Sequence, residues 1–173
     1  TNPKLDLLQP YPFEKLRAEL AKTQYVGDLA PIALSIGEPK HPPPQFVIDA
    51  LCDTDAMARH LATYPATRGN DALRQAVADW LHKRFAVNAS AEHNILPVNG
   101  TREALFAFAQ AVLSGQPRSL VGMPNPFYQI YEGAALLAGA TPYFLANTAN
   151  TGYQADFDSV SERIWNATEL LYI

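Results

Sequence analysis

The stretch SLVGMPNPFYQIYEGAALLAGATPYFL, Ser119 to Leu145, decides the fold. SLVGM is a short apolar run without polar alternation, the pattern of a strand buried on both faces. Tyr128 to Leu137 then reads as a helix, closed at Gly139, and TPYFL is a second apolar strand. Two such strands joined through a helix form a parallel pair, because a parallel connection has to cross the whole sheet.

The same alternation continues on either side. Downstream, Asp156 to Ile164 reads as a helix and ELLYI as a further strand. Upstream, NILPV reads as a strand and Arg102 to Leu113 as a buried helix with almost no polar face. The expected class is α/β, with a parallel sheet covered on both faces. The chain stops on the ELLYI strand, where an α/β fold places the loop that carries chemistry. It therefore reads as part of a larger protein.

Before residue 94 the signals are helical or irregular. In YPATRGNDALRQAVADWLHKRF, Asn70 or Asp71 can cap a helix ending near Phe85, with Leu73, Ala76, Val77, Trp80 and Leu81 along one apolar stripe. QFVIDALC opens a short helix. ALSIGEPKHPPP is extended, because proline fixes φ and disfavours helix in the residue before it. Residues 1–30 read as an arm with one amphipathic stretch, Phe13 to Leu20.

Bulk properties exclude several classes. The 173 residues carry 13 Lys and Arg against 17 Asp and Glu, a formal charge of −4. That balance argues against general nucleic-acid binding, which needs clustered cations. No segment approaches the roughly 18 apolar residues of a membrane helix, and the start has no signal-peptide pattern. Cys52 is the one cysteine, read as a small buried hydrophobe in a reducing, cytoplasmic setting. The glycosylation triplets at Asn88 and Asn166 are taken as chance. The four histidines have no metal-ligand spacing, so no metal is expected.

The junction LPVNGTREAL, Leu96 to Leu105, leaves two readings open. One is an ordinary strand–helix turn. The other is an anion site: first-turn amides lack partners, the helix dipole favours negative charge, and Gly100 has no Cβ to block approach. It is neither a Walker loop nor GxGxxG. Among the aromatics of PNPFYQIY, Tyr128 can stack on a flat ring, while Phe127 and Tyr131 read as packing. Arg68 and Arg102 are cations able to meet a carboxylate, with solvent the simpler fate of each.

Four segments together resemble the amino-terminal half of a class I aminotransferase, a fold-type I enzyme that uses pyridoxal 5'-phosphate. SIGEPKHPPP resembles that family's GEPDFPTP segment. YPATRGNDALRQAVADWL resembles its Y-x-x-x-x-G-x-x-x-L-R-x-A helix. LPVNGTREAL resembles its phosphate loop, and GMPNPFYQIYEGAALLAGA its P-x-Y-x-x-Y segment. More narrowly, LQPYPFEKLRAEL, IGEPKHPPP, YPATRGNDALRQAVADWL and LPVNGTREALFAFAQ together resemble the N-succinyldiaminopimelate aminotransferases of bacterial lysine biosynthesis. The resemblance implies a three-layer α/β/α fold-type I domain, incomplete here. Residues 1–45 would form an N-terminal arm and small-domain segment, and residues 46–173 the first half of the large domain.

The resemblance also implies roles. Gly37 would present its amide to a substrate α-carboxylate. Thr101 and Arg102 would offer amides to the cofactor phosphate. Tyr128 would stack on the cofactor ring. Tyr64 would reach the phosphate of a neighbouring subunit, which implies a homodimer. The amino group would pass to 2-oxoglutarate. The family's Schiff-base lysine, and its Asn, Asp, Tyr and Arg partners, would all lie beyond Ile173. The lysines present (Lys4, Lys15, Lys22, Lys40, Lys83) lack the expected context, so this stretch alone is expected to be inactive. Other chemistry on the same fold, such as a lyase or decarboxylase, and a non-catalytic ligand-binding domain are the alternatives.

Overall fold

A computed structural model describes residues 2–30 and 32–173. The chain divides into two compact units. One joins the residues up to Gln24 with Val98–Ile173, and the other is Tyr25–Pro97.

The first unit is built on three strands: β1 (Leu120–Asn125), β2 (Thr141–Ala146) and β3 (Thr168–Leu171). All pair in parallel, in the order β2-β1-β3. Helix α6 (Gln129–Ala138) links β1 to β2 and ends on Gly139, whose φ of 93° is a left-handed cap conformation open to glycine at little cost. The sequence expected this strand–helix–strand unit, and it is present. The Asn125–Pro126 bond between β1 and α6 is cis.

Helix α5 (Thr101–Val112) packs on α6, and both lie on the sheet. The strand pleat turns Val121 and Met123 to the same face, where Ala135, Ala140 and Tyr172 complete a buried cluster. Val121 and Met123 are fully enclosed; burial of such side chains is worth about 1.5–3 kcal/mol each. Leu105, Leu113, Phe127, Tyr131 and Leu170 pack around them.

At the other end of the strands, Glu169 ties three elements. Its carboxylate accepts from the Ser114 amide at 2.7 Å, from the Ser114 hydroxyl, and from the Ser119 hydroxyl at 2.7 Å. The Ser114 hydroxyl bond first, then the Ser114 amide and Ser119, hold that carboxyl below its ordinary range.

Several expectations change. NILPV, which spans the boundary between the two units, forms no strand among the described residues; Leu96 and Val98 lie exposed. Helix α5 is not buried throughout. Ala109 is enclosed, while Phe106, Phe108 and Val112 are exposed. The helix expected from Asp156 begins only at α7 (Glu162–Ala167). Asp156 instead closes a local turn, its carboxylate accepting from the Ser159 amide at 3.1 Å and its carbonyl from the Ser159 hydroxyl at 2.9 Å. Such side chains compete with helix for backbone partners.

The arm of this unit is a 3-10 turn (Pro3–Leu7) followed by α1 (Pro12–Leu20). The turn rests on α6, and Gln129 donates to the Gln9 carbonyl at 3.1 Å.

The Tyr25–Pro97 unit holds α2 (Gln45–Leu51), α3 (Thr54–Leu61) and α4 (Asp71–Phe85). Asn70 caps α4, its side-chain oxygen accepting from Ala72 N at 2.8 Å and Leu73 N at 3.3 Å. The predicted start and end of α4 both hold, but its expected apolar stripe is not its buried face. Leu73 and Trp80 are about half exposed, whereas Arg74 and Ala78 are buried. Arg74 pairs with Asp71 and donates to the Ala91 carbonyl at 2.8 Å, so it is enclosed by hydrogen bonding to the following turn. Cys52, expected to be buried, is exposed.

Candidate functional site

The site candidate lies where β1 ends and α5 begins. Helix α5 starts on Gly100, which has φ of 115° and ψ of 154°, a conformation that L side chains rarely adopt. The first helical carbonyl bond is Ala104 N to Gly100 O at 3.3 Å. No side chain caps this end. The amides at the start of the helix therefore remain available, with the positive end of the helix dipole behind them. Apart from Gly100 and its two chain neighbours, no atom of the described residues lies within 4 Å of where a Cβ on Gly100 would stand.

Tyr128 faces this helix end from the β1–α6 junction. Its phenol oxygen accepts a hydrogen bond from Arg102 Nε at 2.7 Å, and the guanidinium carbon stands 5.8 Å from its ring centre. The bond to Tyr128, with a smaller share from Tyr11 of the arm, holds the guanidinium above its ordinary pKa. Tyr131 meets the Tyr128 ring edge-on at 5.7 Å and 85°. Tyr131 in turn stacks on Tyr172 at 4.1 Å and 6°. Tyr172 then donates to the Leu105 carbonyl at 2.8 Å, back on α5. Burial, and then Tyr131, push the Tyr172 phenol above its usual value. The contacts form a closed circuit: Arg102, Tyr128, Tyr131, Tyr172, Leu105.

Beside Tyr128, a cavity of about 420 Å³ is lined by Tyr11, Phe13 and Lys15 of the arm and by Phe127, Gln129 and Glu132.

Three residues singled out from the sequence, Thr101, Arg102 and Tyr128, thus come together. Gly37 and Tyr64 belong to the other unit. Gly37 lies in an irregular segment with open space at its Cβ position, and the Tyr64 ring is fully exposed after α3. Arg68, in that same unit, is engaged by Glu92, donating to its carbonyl and lying 3.9 Å from its carboxylate. Tyr131 packs, as its position suggested. Tyr172 and Tyr11 were missed; a tyrosine closing the last strand and another at the start of an amphipathic helix were the signals available. Among the described residues no cluster of His, Cys, Asp and Glu is arranged for a metal. Among the described residues no helix is long and apolar enough to cross a membrane.

A parallel sheet with an uncapped helix start and an aromatic ring at the strand ends defines an incomplete α/β domain. Comparison with known proteins gives the family. Residues 30–172 match the model of aminotransferase class I and II, and the chain belongs to that family. An aminotransferase from Neisseria meningitidis is 41% identical, with a TM-score of 0.88 over 100% of this chain and 44% of its own. The aminotransferase AspB of Helicobacter pylori is 32% identical, with a TM-score of 0.82 over 95% of this chain and 41% of its own. The LL-diaminopimelate aminotransferase of Moorella thermoacetica is 30% identical over 96% of this chain. The chain spans 42% of that relative and 43% of the Dehalococcoides mccartyi enzyme of the same name.

Family members use pyridoxal 5'-phosphate. The residues present fit that group: the uncapped helix start and the open space at Gly100 suit a phosphate, and Tyr128 offers a half-exposed ring at the adjoining junction.

Proposed function

We propose that the full-length protein is a pyridoxal-phosphate-dependent aminotransferase of diaminopimelate and lysine biosynthesis. Its amino donor is N-succinyl-LL-2,6-diaminopimelate, its acceptor is 2-oxoglutarate, and it works as a cytoplasmic homodimer. The observation that carries this reading is the uncapped start of α5 facing Tyr128. Family membership and relatives named LL-diaminopimelate aminotransferase support the reaction class and pathway. The resemblance of LQPYPFEKLRAEL, IGEPKHPPP, YPATRGNDALRQAVADWL and LPVNGTREALFAFAQ to the N-succinyl enzymes supports the donor.

On this reading, Thr101 and Arg102 hold the phosphate through their backbone amides, with the α5 dipole adding to the attraction. Gly100 keeps the approach free of a side chain. Tyr128 stacks against the cofactor ring and fixes its plane. Fixing phosphate and ring together orients the reacting carbon, a positioning effect. Gly37 donates its amide to the substrate α-carboxylate, and Tyr64 reaches toward the phosphate of the partner subunit. When bound, the cofactor supplies an electron sink for charge developing on the donor's α-carbon. Residues 1–173 alone are expected to give no turnover.

The test is amino transfer by the full-length protein to 2-oxoglutarate from N-succinyl-LL-diaminopimelate, LL-diaminopimelate, N-acetylornithine and aspartate. The highest kcat/KM is expected with the N-succinyl donor. A clear preference for free LL-diaminopimelate overturns the choice of donor, and no transfer from any of the four overturns the reaction class.

A further inference from the structure

The backbone of Arg102 belongs to the phosphate cradle, but its side chain turns elsewhere. We propose that the Arg102 side chain is a positioning residue that fixes the direction in which the Tyr128 ring points toward the cofactor. This rests on the function proposed above.

The Tyr128 ring is 37% exposed, so surrounding packing leaves it room to turn. Two contacts hold it instead. Tyr131 meets it edge-on, and Arg102 Nε holds its phenol oxygen at 2.7 Å. A hydrogen bond from a cation is among the stronger kinds, and at the tip of the ring it stops the side chain swinging about its Cα–Cβ bond, while the edge-on contact with Tyr131 restrains rotation about Cβ–Cγ. The circuit through Tyr131, Tyr172 and the Leu105 carbonyl returns to α5 three residues beyond Arg102. The helix that offers the phosphate amides and the ring that meets the pyridine are thereby held in one frame. Rigid support of this kind removes an ordering cost from ligand binding.

The hypothesis is tested with full-length apoprotein and pyridoxamine 5'-phosphate, which forms no covalent bond to the protein. Its affinity is measured by equilibrium dialysis for the wild type, Arg102→Met, Tyr128→Phe and the double variant. Tyr128→Phe keeps the ring and removes only the hydroxyl. Each single variant is expected to bind about tenfold more weakly, the size of one charge-assisted hydrogen bond, and the double variant no weaker than either. Affinity for inorganic phosphate is expected to change less than about threefold in Arg102→Met, since backbone amides hold the phosphate. Additive losses near a hundredfold in the double variant, no loss in Arg102→Met, or an equal loss for inorganic phosphate overturns the proposal. Those three results leave the proposed function intact. A wild type that does not bind pyridoxamine 5'-phosphate overturns both.

Discussion

The two compact units are held together by different means. In the sheet unit, Val121, Met123, Ala135, Ala140 and Tyr172 form one buried cluster, assembled from a strand, a helix, the turn after it and the end of another strand. In the Tyr25–Pro97 unit, Arg74 and Ala78 are the buried residues among those described. There, caps and arginine bonds to carbonyls carry the local order: Asn70 on α4, Arg74 on Ala91, Arg68 on Glu92. Apolar burial is gained collectively, whereas a cap acts on one helix end. The units should therefore respond to single substitutions on different scales.

The largest effect is expected in the sheet unit. Met123→Ala removes a fully enclosed side chain at the centre of the cluster, and comparable truncations cost about 2–5 kcal/mol. Denaturant unfolding of the full-length protein measures it. Asn70→Ala removes an exposed cap, which is typically worth about 1 kcal/mol. Its loss is best read as faster amide exchange confined to the first turn of α4. Equal global losses for the two variants would break the comparison, and a local loss for the second would sharpen it.

The same contrast explains what was legible in the sequence. Helix α4 was readable from Asn70 to Phe85 because a cap and a helical repeat are local signals. The SLVGM and TPYFL strands were readable because continuous apolar runs belong to buried parallel strands. NILPV carried the same composition, yet a strand exists only where another strand pairs with it, and that information is not local. The α4 stripe failed similarly: spacing marked an apolar face, but burial depended on where Arg74 found partners. At Asp156 a side-chain turn displaced a helix that periodicity alone favoured.

At the candidate site, Gly100 and the uncapped start of α5 could be read as one of two possibilities. The structure adds Tyr128, brought beside Arg102 across 26 residues of sequence. Motifs marked both residues separately, and resemblance gave them roles. The bond between their side chains, and its support through Tyr131 and Tyr172, could not be inferred from either motif.

The central claim is that the start of α5 is a phosphate cradle working together with the Tyr128 ring. Comparing the affinities of full-length apoprotein for pyridoxamine 5'-phosphate and for pyridoxamine, which lacks the phosphate, tests it most directly. Gly100→Ala places a Cβ in the open space and strains a φ of 115°. The account predicts that the wild type prefers the phosphorylated ligand by about a hundredfold or more, and that Gly100→Ala removes most of that preference. Equal affinity for the two ligands, or a preference untouched by Gly100→Ala, would contradict it.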